Sequence, residues 1–338
     1  MSLIIAGKSD LGHLFLFGKN DFPSYELYLG LFDKEEINQK LMDLPDYIKI
    51  SSIHNPARVK VGGKIYSFDL SEPGEIGEES LKSLKGTIRL AKTVEAKRAI
   101  IHGATYNPFK QSREEALNLL AMRIKSLFNG GISFSFETDA LWHNLFYQRR
   151  ALLTSAEDFL ELDSILQGKL KITADIEHLY LTFYFNKFIN HLRGEKEFLS
   201  QFSEKKANSF EEKITSYIKN NFPALEKEAQ IYLTFFLNKF KDKIEQIHLC
   251  GSDCFNLRFN PETKLPLEGE HLPLGFDKKG IKDRLDYLFL TDLFEILPKE
   301  KEIPLVLEIR RKDLTEFIAE TKRSKQFLIN YLNEKVNK

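Results

Sequence analysis

The 338-residue sequence has very few cysteines, no excess of charge of either sign and no long apolar run. Its two cysteines, Cys250 and Cys254, lie four positions apart and have no other thiol with which to pair. A disulfide framework is therefore excluded, and a reducing cytoplasm is the compartment that we expect.

Positive and negative charges are balanced, with 49 Lys and Arg residues against 49 Asp and Glu residues. The chain as a whole therefore does not have the basic field that draws proteins to nucleic acid, although a local basic patch is compatible with this balance. Apolar residues make up 42% and charged residues 29%, which is typical of a soluble globular protein.

The apolar segments are too short for a membrane. The N-terminus, MSLIIAGKSD, has a short apolar run with no basic flank before it, which does not fit a signal peptide. The window YLTFYFNKFI is apolar but far shorter than a bilayer span. We therefore expect a cytoplasmic protein with no membrane contact.

The order of secondary structure predicts a closed barrel. No Gly-rich phosphate loop follows any predicted strand, which weakens the alternative of a doubly wound open sheet. Eight β-rich runs alternate with helical patterns, and this predicts an α/β fold, the (β/α)8 TIM barrel. The predicted strands are LIIAG (3–7), YELYLG (25–30), YIKISSIH (47–54), RAIIHG (98–103), ISFSFET (132–138), KITADIEH (171–178), QIHLCG (246–251) and LVLEIRR (305–311), with HLFLFG (13–18) as a ninth candidate in an irregular opening segment.

The helical patterns begin in several cases at a Ser, Thr or Asp cap. The longest stretch between predicted strands separates the sixth from the seventh, and residues 182–245 predict a helical insertion within a single TIM-barrel domain, 1–338. A lid, a homo-oligomer contact and a partner surface are all compatible with this insertion. The predicted helices are KEEINQKLMDL, EESLKSLKGTIRLAKTVEAK, SREEALNLLAMRIKSLF, SAEDFLELDSILQG and KKGIKDRLDYLFLTDLFEIL.

Ligand-type side chains recur where the predicted strands end. The carboxyl ends of all barrel strands meet at one rim, so residues far apart in the sequence become neighbours there. Buried charges are costly unless they are paired or bind a metal, and a shared polar site explains why they recur. The seven side chains are His54, His102, Glu137, Asp175, His178, His248 and Glu308.

This mixture of imidazole and carboxylate suits Zn²⁺, Mn²⁺, Fe²⁺ or Co²⁺, whereas Mg²⁺ and Ca²⁺ favour shells made of oxygen alone. One catalytic ion needs three or four protein ligands. The seven candidate side chains exceed this number, which predicts either further ions or residues that act as acid, base or substrate contacts. Cys250, which follows the seventh strand, is expected to be a small buried thiol rather than a ligand.

The motifs ELYL, IHNP, IIHG, FET, DIEH, IHL and LEI follow one another between residues 24 and 311 in an order that resembles the xylose-isomerase-like TIM-barrel superfamily. This superfamily contains sugar and sugar-phosphate isomerases and epimerases, and also endonuclease IV. The isomerase and epimerase branch implies one divalent ion held by Glu137, Asp175, His248 and Glu308. It also implies that Glu137 and Glu308 are the catalytic residues, which move a proton through a metal-stabilised enediolate.

The endonuclease IV branch, AP endonuclease family 2, implies three zinc ions and cleavage of a phosphodiester at abasic DNA. In this interpretation His54 and His102 bind one ion with Glu137, and His178 and His271 bind another. The sequence departs from that family in three places. A glycine replaces the Asp two residues before His271, HLCG replaces HLND, and FETDA replaces ENTAG.

Three hypotheses follow, with one to three divalent ions per chain. The first, which the complete set of four ligands favours, is an isomerase or epimerase of a small sugar or sugar phosphate. The alternatives are a metal-dependent phosphodiesterase with nucleic acid as its partner, and a non-catalytic barrel that binds a metal or a ligand. Arg58 and Arg310 are the arginines that we expect to bind substrate, and the pair Arg310–Arg311 could hold a phosphate.

Overall fold

The computed structural model describes residues 3–128, 131–140, 150–192, 207–253, 258–259, 266–268, 270–274, 293–311 and 313–336. Eight parallel strands among them form a closed barrel. In chain order these strands are β1 (Leu3–Asp10), β2 (Tyr25–Tyr28), β3 (Ile50–His54), β4 (Arg98–Ile101), β5 (Ser133–Glu137), β6 (Ile172–Asp175), β7 (Ile244–Leu249) and β8 (Ile303–Leu307).

The ring follows chain order, and it is closed by the pairing of β1 with β8. In that pairing Leu3 lies opposite Ile303 and Gly7 opposite Leu307. Every barrel strand therefore has two parallel neighbours, and the predicted (β/α)8 TIM barrel is confirmed.

Helices follow most of the strands, and several of them begin at a side-chain cap. Ser112 and Ser155 each form a capping box, in which the side chain accepts from the backbone three residues later and an acidic side chain bonds back. The helices are α1 (Lys34–Met42), α2 (Glu75–Thr93), α3 (Arg113–Lys125), α4 (Ala156–Ile165), α5 (Ile176–His191), α6 (Ala207–Phe240) and α7 (Leu314–Val336).

The apolar core lies between the barrel strands and the helices around them. One close contact in this layer links α2 to α3 through the loop before α2. The guanidinium of Arg123 donates to the backbone carbonyls of Leu70 at 2.7 Å and Glu72 at 2.8 Å. Gly77 of α2 lies directly beside them, and a Cβ there would be 2.0 Å from the Glu72 carbonyl oxygen.

Between β6 and β7 the described residues contain two helices, α5 and α6, which pack against each other. Residues 193–206 lie outside the described residues. The interpretation of 182–245 as an insertion, and of the chain as one domain, stays a prediction.

Two of the predicted strands differ in the structure. The ninth candidate, 13–18, contains a 3₁₀ helix at Leu14–Leu16, because β1 already has a neighbour on each side and the closed ring has no free edge. The sixth strand stops at Asp175, three residues earlier than predicted, because Asp175 caps α5. Most of the predicted helix KKGIKDRLDYLFLTDLFEIL lies outside the described residues, and only 293–296 is seen as helix.

Among the described residues, three short antiparallel pairs of strands lie outside the barrel. The pairs are Arg58–Val61 with Lys64–Ser67, Thr105–Tyr106 with Arg150–Ala151, and Arg258–Phe259 with Pro266–Glu268.

No helix among the described residues is long and apolar enough to cross a membrane.

Candidate metal centre

The predicted ligands gather at one rim of the barrel. Each sits at or directly beyond the carboxyl end of a strand, where a parallel barrel brings all its strands together. These residues are His54 at the end of β3, His102 after β4, Glu137 at the end of β5, Asp175 at the end of β6, His248 in β7 and Glu308 after β8.

Glu137, Asp175, His248 and Glu308 form a compact, buried group, which we call the four-residue cluster. Each offers one ligand atom, and these atoms all lie within 4.8 Å of one another. His248 Nδ1 is 3.3 Å from Glu137 Oε1, 3.1 Å from Glu308 Oε2 and 3.7 Å from Asp175 Oδ2.

The four-residue cluster fits a divalent ion. Among the described residues, His248 Nδ1 and Asp175 Oδ2 are buried without any hydrogen-bond partner. Metal–ligand bonds of about 2.0–2.2 Å, at angles between a right angle and the tetrahedral angle, set neighbouring ligand atoms about 2.9–3.5 Å apart. The two shorter separations around His248 fall in this interval and the one to Asp175 lies slightly beyond it.

The orientation of His248 is fixed from behind by Glu26 of β2. His248 Nε2 lies 3.1 Å from Glu26 Oε2, and both side chains are buried. When Nε2–H donates to this carboxylate, Nδ1 keeps its lone pair for a metal. A carboxylate behind a ligating imidazole is a common feature of metal sites, because it selects the tautomer and makes the ring a better ligand.

Asp175 is positioned by its role as the cap of α5. Its Oδ1 accepts from the backbone N–H of His178 at 2.9 Å. The cap uses this oxygen and leaves Oδ2 directed at His248. The end of the sixth strand and the start of the next helix therefore supply the ligand together.

A second group, the histidine cluster, consists of His54, His102 and Glu137. His54 Nδ1 lies 2.7 Å from the carbonyl of Asn55, to which Nδ1–H donates, and its Nε2 is 3.3 Å from Glu137 Oε2. His102 Nδ1 is 4.0 Å from Glu137 Oε1. Glu137 therefore belongs to both clusters.

The two rings of the histidine cluster differ in charge. Burial and the nearby Lys8 ammonium lower the pKa of His54, which keeps its ring neutral. Burial also acts to lower the pKa of His102, but Glu137 and Asp139 outweigh it and raise that pKa to about 9. His102 Nε2 lies 3.2 Å from Asp139 Oδ1, which accounts for part of this effect.

His178 and His271 lie beside these clusters. His178 Nδ1 is 2.9 Å from the carbonyl of Thr138, and its ring stacks on that of His102 with 5.4 Å between centroids. The His271 ring meets the His178 ring edge-on at 5.8 Å. His271 Nδ1, however, is directed at Glu177 and Cys250. The shared metal that the endonuclease resemblance implied for these two histidines stays a prediction.

Both carboxyl groups that were predicted to move a proton are held in the charged form. Burial acts to raise the pKa of Glu308, but Lys8 and the histidines around it outweigh this and lower that pKa well below its usual range. His102, His248 and Lys8 likewise lower the pKa of Glu137 against the effect of burial. The site is therefore built for ionised carboxylates.

The sequence analysis missed two charged residues of the site, Lys8 of β1 and Glu26 of β2. Lys8 Nζ lies 2.8 Å from Glu308 Oε2 and 3.1 Å from Glu26 Oε1, and all three side chains are buried. β1 and β2 each carry an ionisable residue, as do the ends of the other six strands, but the sequence does not show that these two side chains face the inside of the barrel. With Lys8 and Glu26 included, each of the eight barrel strands contributes a residue to the site.

The two predicted substrate-binding arginines differ in position. Arg310 Nη2 lies 3.3 Å from Glu308 Oε1, and 47% of its side chain is exposed, so it borders the four-residue cluster from the solvent side. Arg58 is exposed on the hairpin of Arg58–Val61 and Lys64–Ser67. Its side chain makes no hydrogen bond or ion pair with any residue in the described part of the chain, and its predicted role stays untested.

No protein-family model matches the sequence, and no curated protein matches it. Several solved structures have a similar fold. A xylose isomerase domain protein from Planctomyces limnophilus has a TM-score of 0.57 and 15% identity, covering 99% of both chains. The apo form of 3-keto-D-glucoside 4-epimerase from E. coli has a TM-score of 0.54 and 11% identity, covering 97% of this chain and 100% of that one.

A third structure, a D-tagatose 3-epimerase-like protein, has a TM-score of 0.54 and 14% identity, covering 98% of this chain and 99% of the other. Identities this low establish the fold alone. The three similar structures agree with the resemblance of the strand-end motifs and with the closed ring of eight strands. The chain therefore has the fold of the xylose-isomerase-like TIM barrels.

Proposed function

We propose that this chain is a divalent-metal-dependent isomerase or epimerase that acts on a sugar or a sugar phosphate. The observation that carries the proposal is the four-residue cluster, in which Glu137 and Glu308 approach the same nitrogen of His248 from two sides, at 3.3 and 3.1 Å. Glu137, Asp175, His248 and Glu308 would hold the ion. Once bound, the ion would polarise a carbonyl and a neighbouring hydroxyl of the sugar.

The two glutamates are suited to move a proton at the carbon next to that carbonyl. Both are ionised, so either can accept a proton. Return of the proton to the opposite face of the same carbon is epimerisation, and its delivery to the neighbouring carbon is isomerisation. The low pKa of Glu308 makes it a weak base, so the C–H bond must be acidified by the polarised carbonyl.

The remaining residues would bind and orient the substrate. Lys8 holds Glu308 from inside the barrel, and Arg310 lies on the outer side of the same carboxylate. The half-exposed guanidinium of Arg310 is suited to a phosphate or to sugar hydroxyls. Burial of the four-residue cluster would strengthen the electrostatic interactions of the metal and the two glutamates with the substrate.

The proposal is tested by hydrogen exchange. The protein is loaded with Mn²⁺, Co²⁺ or Zn²⁺ and incubated in D₂O with a panel of aldoses, ketoses and their phosphates, and deuterium in the sugar is measured by NMR. We expect incorporation with at least one sugar, and a decrease of about 10²–10⁴-fold in Glu137→Gln and Glu308→Gln.

Glu302→Gln is the matched control, because Glu302 is an exposed glutamate just before β8. It should keep the rate of the unchanged protein. No exchange with any sugar, in protein that is folded and loaded with metal, would refute the proposal.

A phosphodiesterase is the second candidate, and the histidine cluster favours it. Because His54, His102 and Glu137 adjoin the four-residue cluster through Glu137, the pair of clusters could hold two ions side by side. Two ions are a common arrangement for phosphodiester cleavage. Cleavage of an abasic-site DNA duplex by the unchanged protein, and its loss in His54→Asn, would support this candidate. Metal binding without sugar exchange or DNA cleavage would instead support the non-catalytic binding barrel.

A further inference from the structure

A third group of ligand-type side chains lies beside the metal centre, and the proposed sugar chemistry does not use it. We call it the thiol cluster. Its members are Glu177 of α5, Cys250 directly after β7, and His271, and all three are buried. Cys250 Sγ lies 3.0 Å from Glu177 Oε2 and 3.6 Å from His271 Nδ1, and His271 Nδ1 lies 3.3 Å from Glu177 Oε2.

The backbone holds the thiol cluster together from two sides. Gly251, next to Cys250, and Leu272, next to His271, exchange a pair of backbone hydrogen bonds of 2.6 and 2.8 Å. The backbone N–H of His271 donates to both oxygens of Glu177, at 3.2 and 3.1 Å. The three ligand atoms therefore come from three segments of chain that are fastened to one another.

Two of the three separations between these atoms match the edges of a metal tetrahedron. With bonds of about 2.3 Å to sulfur and about 2.0–2.2 Å to nitrogen and oxygen, the expected edges are about 3.6 Å for S–N, 3.4 Å for N–O and 3.5 Å for S–O. The S–N and N–O separations agree. The S–O separation is shorter, as an S–H···O hydrogen bond makes it when no ion is bound.

We propose that Glu177, Cys250 and His271 form a binding site for a thiophilic divalent ion of the Zn²⁺ type, separate from the four-residue cluster. The site does not depend on the proposed sugar chemistry. A set of thiolate, imidazole and carboxylate selects Zn²⁺ or Co²⁺ over Mg²⁺, Ca²⁺ and Mn²⁺, because the thiolate is a soft ligand.

Local charge supports a cation at this place. The acidic groups that act on Glu177 are Glu270 and Asp175, and Glu308 acts on Cys250. Burial of several acidic groups close together is costly, and a divalent ion would offset that cost.

Binding of the ion is balanced by loss of protons. The thiol proton of Cys250, and that of Glu177 where the carboxyl carries one, pass to solvent as the metal–sulfur and metal–oxygen bonds form. His271 would bind through Nδ1 in its neutral form, as metal-ligating imidazoles do. Two anionic ligands and one neutral ligand then neutralise the charge of the ion.

Three protein ligands leave one position of a tetrahedral ion open, which is typical of catalytic rather than structural zinc. His271 Nδ1 lies 4.0 Å from Glu308 Oε1, so the thiol cluster adjoins the four-residue cluster.

The alternative is a chain of hydrogen bonds with no metal, in which His271 donates to the sulfur and the thiol donates to Glu177. Cobalt distinguishes the two. Metal-free protein, kept reduced with a phosphine, is titrated with Co²⁺ alone, and the intense near-ultraviolet band of thiolate-to-cobalt charge transfer is followed. We expect this band to appear with about one equivalent of thiolate-bound ion.

Two matched variants assign the band, because the chain has only two thiols. Cys250→Ser should abolish the band and reduce bound Zn²⁺ by about one equivalent. Cys254→Ser should leave both unchanged. Glu177→Gln should weaken Co²⁺ binding at this site, and circular dichroism establishes that each variant is folded.

The visible d–d absorption of Co²⁺ in the four-residue cluster does not need a thiolate and should persist in Cys250→Ser. Its loss in Glu308→Gln, with the charge-transfer band retained, would show that the sites are separate. Absence of the band at saturating Co²⁺, or its survival in Cys250→Ser, would overturn the proposal. Neither result depends on finding a sugar substrate.

Discussion

Lys8 is the residue that most distinguishes this site from a simple set of metal ligands. Its ammonium lies between Glu26 and Glu308, at 3.1 and 2.8 Å, and no water layer separates them. It thus neutralises charge that a metal would otherwise neutralise. Through Glu26 it is also linked to His248, so one cation influences the proposed base, Glu308, and the proposed ligand together.

Replacement of Lys8 by methionine should have opposite effects on stability and on metal binding. In the metal-free protein we expect Lys8→Met to lower the free energy of unfolding by about 3–5 kcal/mol, because buried carboxylates lose their partner. Added Zn²⁺ or Mn²⁺ should then raise the melting temperature more than it does in the unchanged protein. Thermal unfolding with and without metal measures both effects.

Lys40→Met is the control for that experiment. Lys40 forms an exposed ion pair with Glu36 on α1, at 2.6 Å. Loss of such a pair should change the free energy of unfolding by about 0.5 kcal/mol or less. Equal stability of the Lys8 and Lys40 variants would show that the buried ion pairs of Lys8 contribute no more to the free energy of unfolding than an exposed pair.

At the scale of elements, the first turn of α5 serves two clusters. Asp175 caps the helix and faces His248, whereas Glu177, two residues later, faces Cys250. His178 follows and donates its backbone N–H to Asp175. A shift of this one turn would therefore disturb both clusters, which makes the β6–α5 junction the most constrained segment of the rim.

The α2–α3 contact gives a test of close packing. Alanine at Gly77 would place a Cβ 2.0 Å from the Glu72 carbonyl oxygen and 2.2 Å from an Arg123 nitrogen. Helix propensity alone favours alanine by about 1 kcal/mol. We nevertheless expect Gly77→Ala to destabilise the protein by about 1–3 kcal/mol, since backbone and a buried guanidinium must move. Chemical denaturation measures the change.

Lys85→Ala, at an exposed position of the same helix, should leave stability within about 0.5 kcal/mol. A Gly77→Ala variant with a higher free energy of unfolding would mean that the loop before α2 can move away from the new Cβ at little cost. Arg123 would then not hold it.

The elements could largely be predicted from sequence, because apolar β-rich runs and helix caps are local signals. The positions of His54, Glu137 and Asp175 at strand ends could be predicted for the same reason. Lys8 and Glu26 could not, since alternation along a strand does not tell the inside of a barrel from the outside. Glu177 was passed over because its neighbours Asp175 and His178 fitted a known motif.

At the scale of the whole molecule, metal binding and folding should be coupled. Removal of metal with a chelator leaves the carboxylates of the four-residue cluster close together, and addition of metal at about 100 times its Kd should restore about 2.7 kcal/mol. For a chain of this size we expect a rise in Tm of about 4 °C. Scanning calorimetry of chelated and reloaded protein measures it.

Glu308→Gln should reduce that rise, and Glu302→Gln should keep it. An unchanged Tm after reloading would contradict the assignment of the buried clusters as metal sites. The test concerns most of the barrel, because the candidate ligands of the four-residue and histidine clusters come from β3 to β8.

The closure of the ring between β1 and β8 has a consequence for synthesis. Lys8 and Glu308 are 300 positions apart, so at about 5–20 residues per second the ribosome needs roughly 15–60 s to make the second after the first. Throughout that time β1 lacks one neighbour, and its edge is open to wrong partners. The four-residue cluster lacks Glu308 for the same period. A nascent chain can therefore collect metal at the complete site only after its eighth strand and Glu308 have been made.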